Sequence, residues 1–137
     1  MAMTKDVPAV EQLGEYADHP VVADTVIYEG ALVTIDADGF ATNLVGADAA
    51  TTFLAGIAFR GVSNAGGASG AKMVKVRRGQ RYYEVALSSA AQTDVGAVLY
   101  ATDENTFTLT STGAKAIGHV AQLAGTNKVI VRLEPEI

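Results

Sequence analysis

Lys72-Met-Val-Lys-Val-Arg-Arg-Gly-Gln-Arg-Tyr-Tyr-Glu-Val-Ala-Leu87 is the stretch that decides the fold. In its first half Val74 and Val76 alternate with Lys75 and Arg77, and a pleated strand sends those two sets to opposite faces. In its second half Tyr83 and Val85 share one face, and Tyr82 and Glu84 share the other. Gly79-Gln80 between them fits a two-residue hairpin turn with glycine first. Strand, turn and strand is therefore the reading, with one face of each strand apolar.

The same grammar extends in both directions. Residues 26–35 form a strand region, Asp36-Ala-Asp-Gly39 a turn, and 40–45 the return. Residues 46–52 are alanine-rich and compatible with a short helical turn. Residues 53–60 are apolar with little alternation, as in a strand buried on both faces, and 61–70 form a Gly/Ala/Ser/Asn loop. Downstream, 98–101 and 106–110 make a hairpin around Asp103-Glu-Asn105. A last hairpin joins 117–123 to 128–133 around Gly125-Thr-Asn127. No helical period is sustained. The expectation is an all-β fold: a compact β-barrel or sandwich-like body of short antiparallel strands and hairpins.

Residues 1–24 read differently. They hold Pro8 and Pro20 and no sustained pattern, so they are expected as an extended N-terminal arm ahead of a β-rich domain at 25–137. The two halves of that domain repeat in order. Gly30-Ala-Leu-Val-Thr-Ile-Asp parallels Gly96-Ala-Val-Leu-Tyr-Ala-Thr. Ala55-Gly-Ile-Ala58 parallels Ile117-Gly-His-Val120, and Lys72-Met-Val-Lys-Val-Arg77 parallels Lys128-Val-Ile-Val-Arg132. One supersecondary unit used twice, each closing the other's apolar face, accounts for this.

Composition narrows the function. With 49% apolar residues in 137, the chain can bury a core; with no Trp and only nine Phe and Tyr, that core is thin. A net charge of −5 opposes nonspecific nucleic-acid binding and docking on anionic membranes. The absence of cysteine removes disulfides, thiolate metal sites and thiol nucleophiles. The start of the sequence shows no apolar leader run, and no stretch reaches spanning length. Synthesis in a cytoplasm is the expectation.

Chemistry-bearing patterns are sparse. His19 and His119 are the only histidines, too few for a zinc set and each without an evident nucleophile in sequence. Asp36, Asp38 and Gly39 open like a calcium loop, but Phe40, Ala41, Leu44 and Val45 follow where oxygen ligands are needed. Gly66-Gly-Ala-Ser-Gly-Ala-Lys72 lacks the spacing and following Ser/Thr of a phosphate loop. No catalytic residue, metal or cofactor is expected. The clearest charge feature is Lys72, Lys75, Arg77, Arg78 and Arg81, half of the ten basic residues within ten positions. It reads as a solvated strand face or as a docking stripe for an acidic protein surface.

Several ordered blocks carry a resemblance. They are Ile27-Tyr-Glu-Gly-Ala-Leu-Val-Thr-Ile-Asp36, Phe53-Leu-Ala-Gly-Ile-Ala58, Asn64-Ala-Gly-Gly-Ala-Ser-Gly70, Val95-Gly-Ala-Val-Leu-Tyr-Ala-Thr-Asp103 and Ile117-Gly-His-Val120. In this order they resemble the small cement and decoration proteins of tailed-phage capsids, over residues 26–133. The resemblance implies a β-rich body on the outer surface of the assembled virion, stabilising the lattice of the major capsid protein, often as a homotrimer. It implies an N-terminal arm that engages the capsid protein, and no catalytic residues. The candidate capsid or oligomer interface is then Val7, Val10, Leu13, Tyr16, Val21 and Val22 in the arm, with Lys75, Arg77, Arg78 and Arg81 in the basic stripe. Two other classes stay open: a virion-surface binding module, such as a fibre base or glycan adhesin using Tyr16, Tyr82 or Tyr100, and a small hydrolase built on His119.

Overall fold

A computed structural model describes residues 14–137. Twelve strands carry almost all of the regular structure: β1 (Tyr16–Pro20), β2 (Val26–Ile27), β3 (Leu32–Ile35), β4 (Ala41–Asn43), β5 (Phe53–Ala58), β6 (Val62–Ser63), β7 (Met73–Arg77), β8 (Arg81–Ala86), β9 (Val98–Asp103), β10 (Thr106–Thr108), β11 (Lys115–Gly125) and β12 (Lys128–Leu133). Single 3-10 turns stand at Gly46–Asp48, where the alanine-rich stretch allowed one, and at Gln92–Asp94.

The strands form two five-stranded antiparallel sheets, β1-β7-β5-β3-β4 and β10-β9-β11-β12-β8, and a small β2-β6 pair. The all-β expectation holds. Neither sheet closes into a barrel, although a single parallel bridge between Val21 and Ala41 draws the ends of the first together.

Two clusters make the core. One is shared between the sheets: Leu32, Leu44 and Leu54 of the first meet Leu99, Ile117, Val129, Val131 and Leu133 of the second. The other lies on the opposite face of the first sheet and includes Val21, Ile27, Val33, Ile35, Val74 and Val76. With clusters on both faces, β3 is buried along its whole length, and Leu54, Ala55, Ala58 of β5 are buried too. No aromatic residue is among the buried hydrophobics. Each fully buried Val, Leu or Ile contributes roughly 1.5–3 kcal/mol, so the fold rests on many small side chains.

The duplication is a property of the sheets. Read from edge to edge, β1-β7-β5-β3-β4 and β8-β12-β11-β9-β10 have the same connectivity, with β2 and β6 added to the first unit. The registers agree in detail. Leu32 opposes Ile57, Val33 opposes Gly56, and the register then slips before Thr34 meets Leu54. In the second unit Val98 opposes His119, Leu99 opposes Gly118, and it slips before Tyr100 meets Ala116. A Cβ on Gly56 would run into the Arg77 carbonyl, and one on Gly118 into that of Arg132, the equivalent residue. Glycine is required at both bulges because backbone meets backbone there.

Two expectations change. Residues 72–87 are not a hairpin: β7 pairs with β1 on one side and β5 on the other, so it has no free edge for β8. β8 pairs instead with β12, and Gly79-Gln80 connects the two sheets. Of the stretch expected as an arm at residues 1–24, residues 1–13 lie outside the described residues, and the described part is not a free extension. Residues 16–20 are β1, the edge strand of the first sheet, and Val21 is wholly buried in its core. Pro20 is tolerated because it ends an edge strand, where a missing N–H costs little.

Candidate docking surface

β7 alternates as its sequence demands. Val74 and Val76 are fully buried, whereas Lys75 is exposed and Arg77 half-buried on the other face. The neighbours of that face come from far away in the chain. β1 places Tyr16 opposite Arg77, and the end of β5 brings Phe59 alongside through a bond from the Phe59 N–H to the Lys75 carbonyl (2.9 Å).

The result is a ladder of cations and rings. Lys75 Nζ lies 5.9 Å and the Arg77 guanidinium 5.6 Å from the Tyr16 ring centre. The Arg77 guanidinium is also 4.9 Å from the Phe59 ring, and that of Arg60 is 5.5 Å from it. The two rings are themselves 4.9 Å apart and tilted by 49°. Each cation–π contact is worth ~0.5–1 kcal/mol at an exposed site, and together they hold the charged heads in a fixed arrangement.

Beside the ladder, Arg78 Nε donates to the Gly14 carbonyl (3.0 Å) and Arg81 pairs with Glu15 (2.7 Å). That bond holds the Arg81 guanidinium more firmly protonated than usual. Tyr83 reaches in from the second sheet. Its phenol pKa is raised by burial, partly offset by Arg81 and Arg77, and its hydroxyl has no partner among the described residues.

The charge pattern differs sharply between the units. Among the described residues Arg60, Lys72, Lys75, Arg77 and Arg78 make no ion pair. From Arg81 onward every cation has an acid: Arg81 with Glu15, Lys115 with Glu136, Lys128 with Glu84, and Arg132 with Glu134. Equivalent positions are thus used in opposite ways. Tyr82 faces Arg132 as Tyr16 faces Arg77, but Arg132 is neutralised by Glu134 and Ala121 replaces Phe59.

The remaining interface candidates fall in three places. Tyr16, Lys75, Arg77, Arg78 and Arg81 gather around this surface. Val21 does not: it is a core residue of its own chain and cannot serve a partner's pocket. Val22 is half-buried, its N–H donating to Ala41. Val7, Val10 and Leu13 lie outside the described residues. Phe59 and Arg60 were not singled out in the sequence; their only signal there is an aromatic-basic pair closing an apolar strand.

His119 sits elsewhere. His119 Nδ1 bonds the Glu134 carboxylate at 3.0 Å, and Glu134 also accepts from Arg132 Nε at 3.0 Å. The Arg132 bond, followed by His119, holds the Glu134 pKa below the usual carboxylate range. Glu134 thus joins His119 to Arg132 at a partly exposed surface, and among the described residues no hydroxyl bonds the imidazole. His19 is a β1 residue whose pKa is lowered by burial and by Arg78. Among the described residues no three His, Asp or Glu side chains converge as a metal set would.

A scan against protein-family models and searches of curated proteins and of solved structures give no match to this chain.

Proposed function

We propose that this chain is a structural virion protein that binds the outer surface of an assembled phage capsid and cements the lattice of the major capsid protein, without catalysis of its own. The observation that carries the proposal is the cation–ring ladder on Tyr16, Phe59, Arg60, Lys75 and Arg77, with its cations unpaired among the described residues. On a chain of net charge −5, cations left unpaired on one face and paired elsewhere mark that face for an acidic partner surface. The ordered sequence blocks that resemble capsid decoration proteins supply the kind of surface. A repeating lattice needs only modest affinity at each site, because many copies act together. Assembly as a homotrimer belongs to the same proposal.

The test is addition of purified protein to capsids that lack it. Co-sedimentation and a higher rupture temperature are expected. Lys75→Glu with Arg77→Glu lowers affinity by more than about tenfold, and binding of the unaltered protein weakens steeply with salt. Unaltered protein that stays in the supernatant at every salt concentration overturns the proposal.

The second reading, a virion-surface glycan-binding module, has one feature in its favour. Tyr82 is 65% exposed beside His119 and Arg132. A glycan-array signal lost in Tyr82→Ala would favour it.

A further inference from the structure

The duplication places one arginine in two settings. Arg77 and Arg132 are equivalent by register: each lies across from a tyrosine, Tyr16 or Tyr82, and from the residue after a bulge glycine, Ile57 or His119. In the second unit the arginine is engaged. Arg132 Nε (3.0 Å) and Nη2 both donate to one oxygen of Glu134, two residues further along the chain, and His119 Nδ1 lies 3.0 Å from the same oxygen. In the first unit Arg77 makes no ion pair among the described residues. Gly79 stands two residues beyond it, with nothing within 4 Å of where a Cβ would lie, and Ile57 takes the place of His119. The Tyr16 and Phe59 rings hold the Arg77 guanidinium at 5.6 and 4.9 Å from their centres. Those contacts use its charge and leave N–H donors for an oxygen ligand.

We infer that Glu134 is a built-in stand-in for the partner: Arg77 receives an Asp or Glu carboxylate of an acidic polypeptide through Nε and Nη2, as Arg132 receives Glu134. Glu134 in turn keeps the second unit's equivalent face from taking the same group. The inference rests on the reading of the ladder as a docking face and adds the chemical group that this face selects. A guanidinium presents its donors in a fixed fork that matches a planar carboxylate, and such charge-assisted bonds are roughly twice as strong as neutral ones. Charge favours an anion over a neutral amide. Lys75 shares the Tyr16 ring with Arg77, and Arg60 shares the Phe59 ring. Asp18 lies across from Lys75 without pairing with it. Arg132 has no such company: Ile130 and Ala121 occupy the positions of Lys75 and Phe59, and one internal carboxylate neutralises it.

The probe is an acetylated, amidated hexapeptide with two central glutamates flanked by serines, and its control carries glutamines in their place. Side-chain Nε–H resonances of isotope-labelled protein report each arginine separately. With the unaltered protein the Arg77 signal should move on titration while that of Arg132 stays, and the glutamine peptide should bind about tenfold more weakly. In Glu134→Gln the Arg132 signal should move as well, so one carboxylate site becomes two. An unmoved Arg77, equal binding of both peptides, or an Arg132 that ignores the peptide in Glu134→Gln folded by circular dichroism overturns the inference. So does inorganic phosphate that shifts Arg77 at about a tenth of the peptide concentration, which would make the site one for phosphate.

Arg77→Lys, which keeps the charge and loses the fork, separates the two proposals. If unaltered protein binds capsids and Arg77→Lys binds equally well, the carboxylate inference fails and the capsid reading stands. If unaltered protein ignores capsids while the glutamate peptide moves Arg77, the capsid reading fails, and the carboxylate site stands without the lattice as its source.

Discussion

Thr34 is wholly buried, and its hydroxyl has no partner among the described residues. Removing an unsatisfied hydroxyl without changing shape relieves a desolvation cost, so Thr34→Val should stabilise by ~1 kcal/mol in chemical denaturation. A loss of stability would show that the hydroxyl is satisfied. Lys115 is the opposite case. Its ammonium is buried but fully occupied, donating to the Ala49 (3.2 Å) and Thr52 (3.0 Å) carbonyls and pairing with Glu136 at 2.7 Å. The Glu136 carboxylate also accepts from the Leu54 N–H, so one side chain ties β11 to β5. Glu136→Ala should cost ~1–3 kcal/mol, read as a lower denaturation midpoint at unchanged slope. His19 sets a pH dependence. Burial and Arg78 favour its neutral form in the fold, against a weaker opposing pull from Asp18, so its folded pKa lies below the ordinary 6.5. The unfolded chain then binds the extra proton first, and stability falls as pH drops below about 6.5 toward the folded pKa. His19→Gln should flatten that limb of a stability–pH profile and leave the carboxylate-driven loss at lower pH intact.

At the level of elements, the repeated bulge is the most exacting feature. Gly118→Ala drives a methyl into the Arg132 carbonyl across a paired strand, where neither backbone can yield cheaply. A loss of ~1–3 kcal/mol is expected, with a similar loss for Gly56→Ala at the equivalent site. Little effect at either would mean that the strands separate there in solution. The same elements show what a sequence can and cannot disclose. Alternation at Val74, Val76, Tyr83 and Val85 named the inward faces correctly, because side-chain direction is a local consequence of the pleat. Pairing is not local. Gly79-Gln80 satisfies the rule for a tight turn, yet β1 had already taken the edge of β7 that β8 would have used. β1 itself was hidden because Tyr16-Ala-Asp-His-Pro20 has no apolar alternation. Only the register, with Tyr16 across from Arg77 and Tyr82 across from Arg132, reveals β1 as the counterpart of β8.

For the whole molecule, the central fact is that the two units share one cluster, Leu32, Leu44 and Leu54 packing with Leu99, Ile117 and Leu133. Neither sheet keeps that face dry alone, so unfolding should be a single cooperative transition, with calorimetric and van't Hoff enthalpies equal. Two resolved transitions would show units that fold independently. The cation–ring face is half legible in the sequence. Clustered basic residues are visible along the chain, whereas the rings that order them come from β1 and the end of β5 and meet only once the sheet is built. A last consequence follows from a core made of aliphatic residues only. With no Trp, the chain's ultraviolet emission comes from five tyrosines, none of them in the buried core. Tyr16 stands on the ladder and Tyr83 reaches in beside Arg77 and Arg81. Tyrosine fluorescence is therefore a label-free gauge of occupancy, one that brightens or dims when a guest arrives at that face.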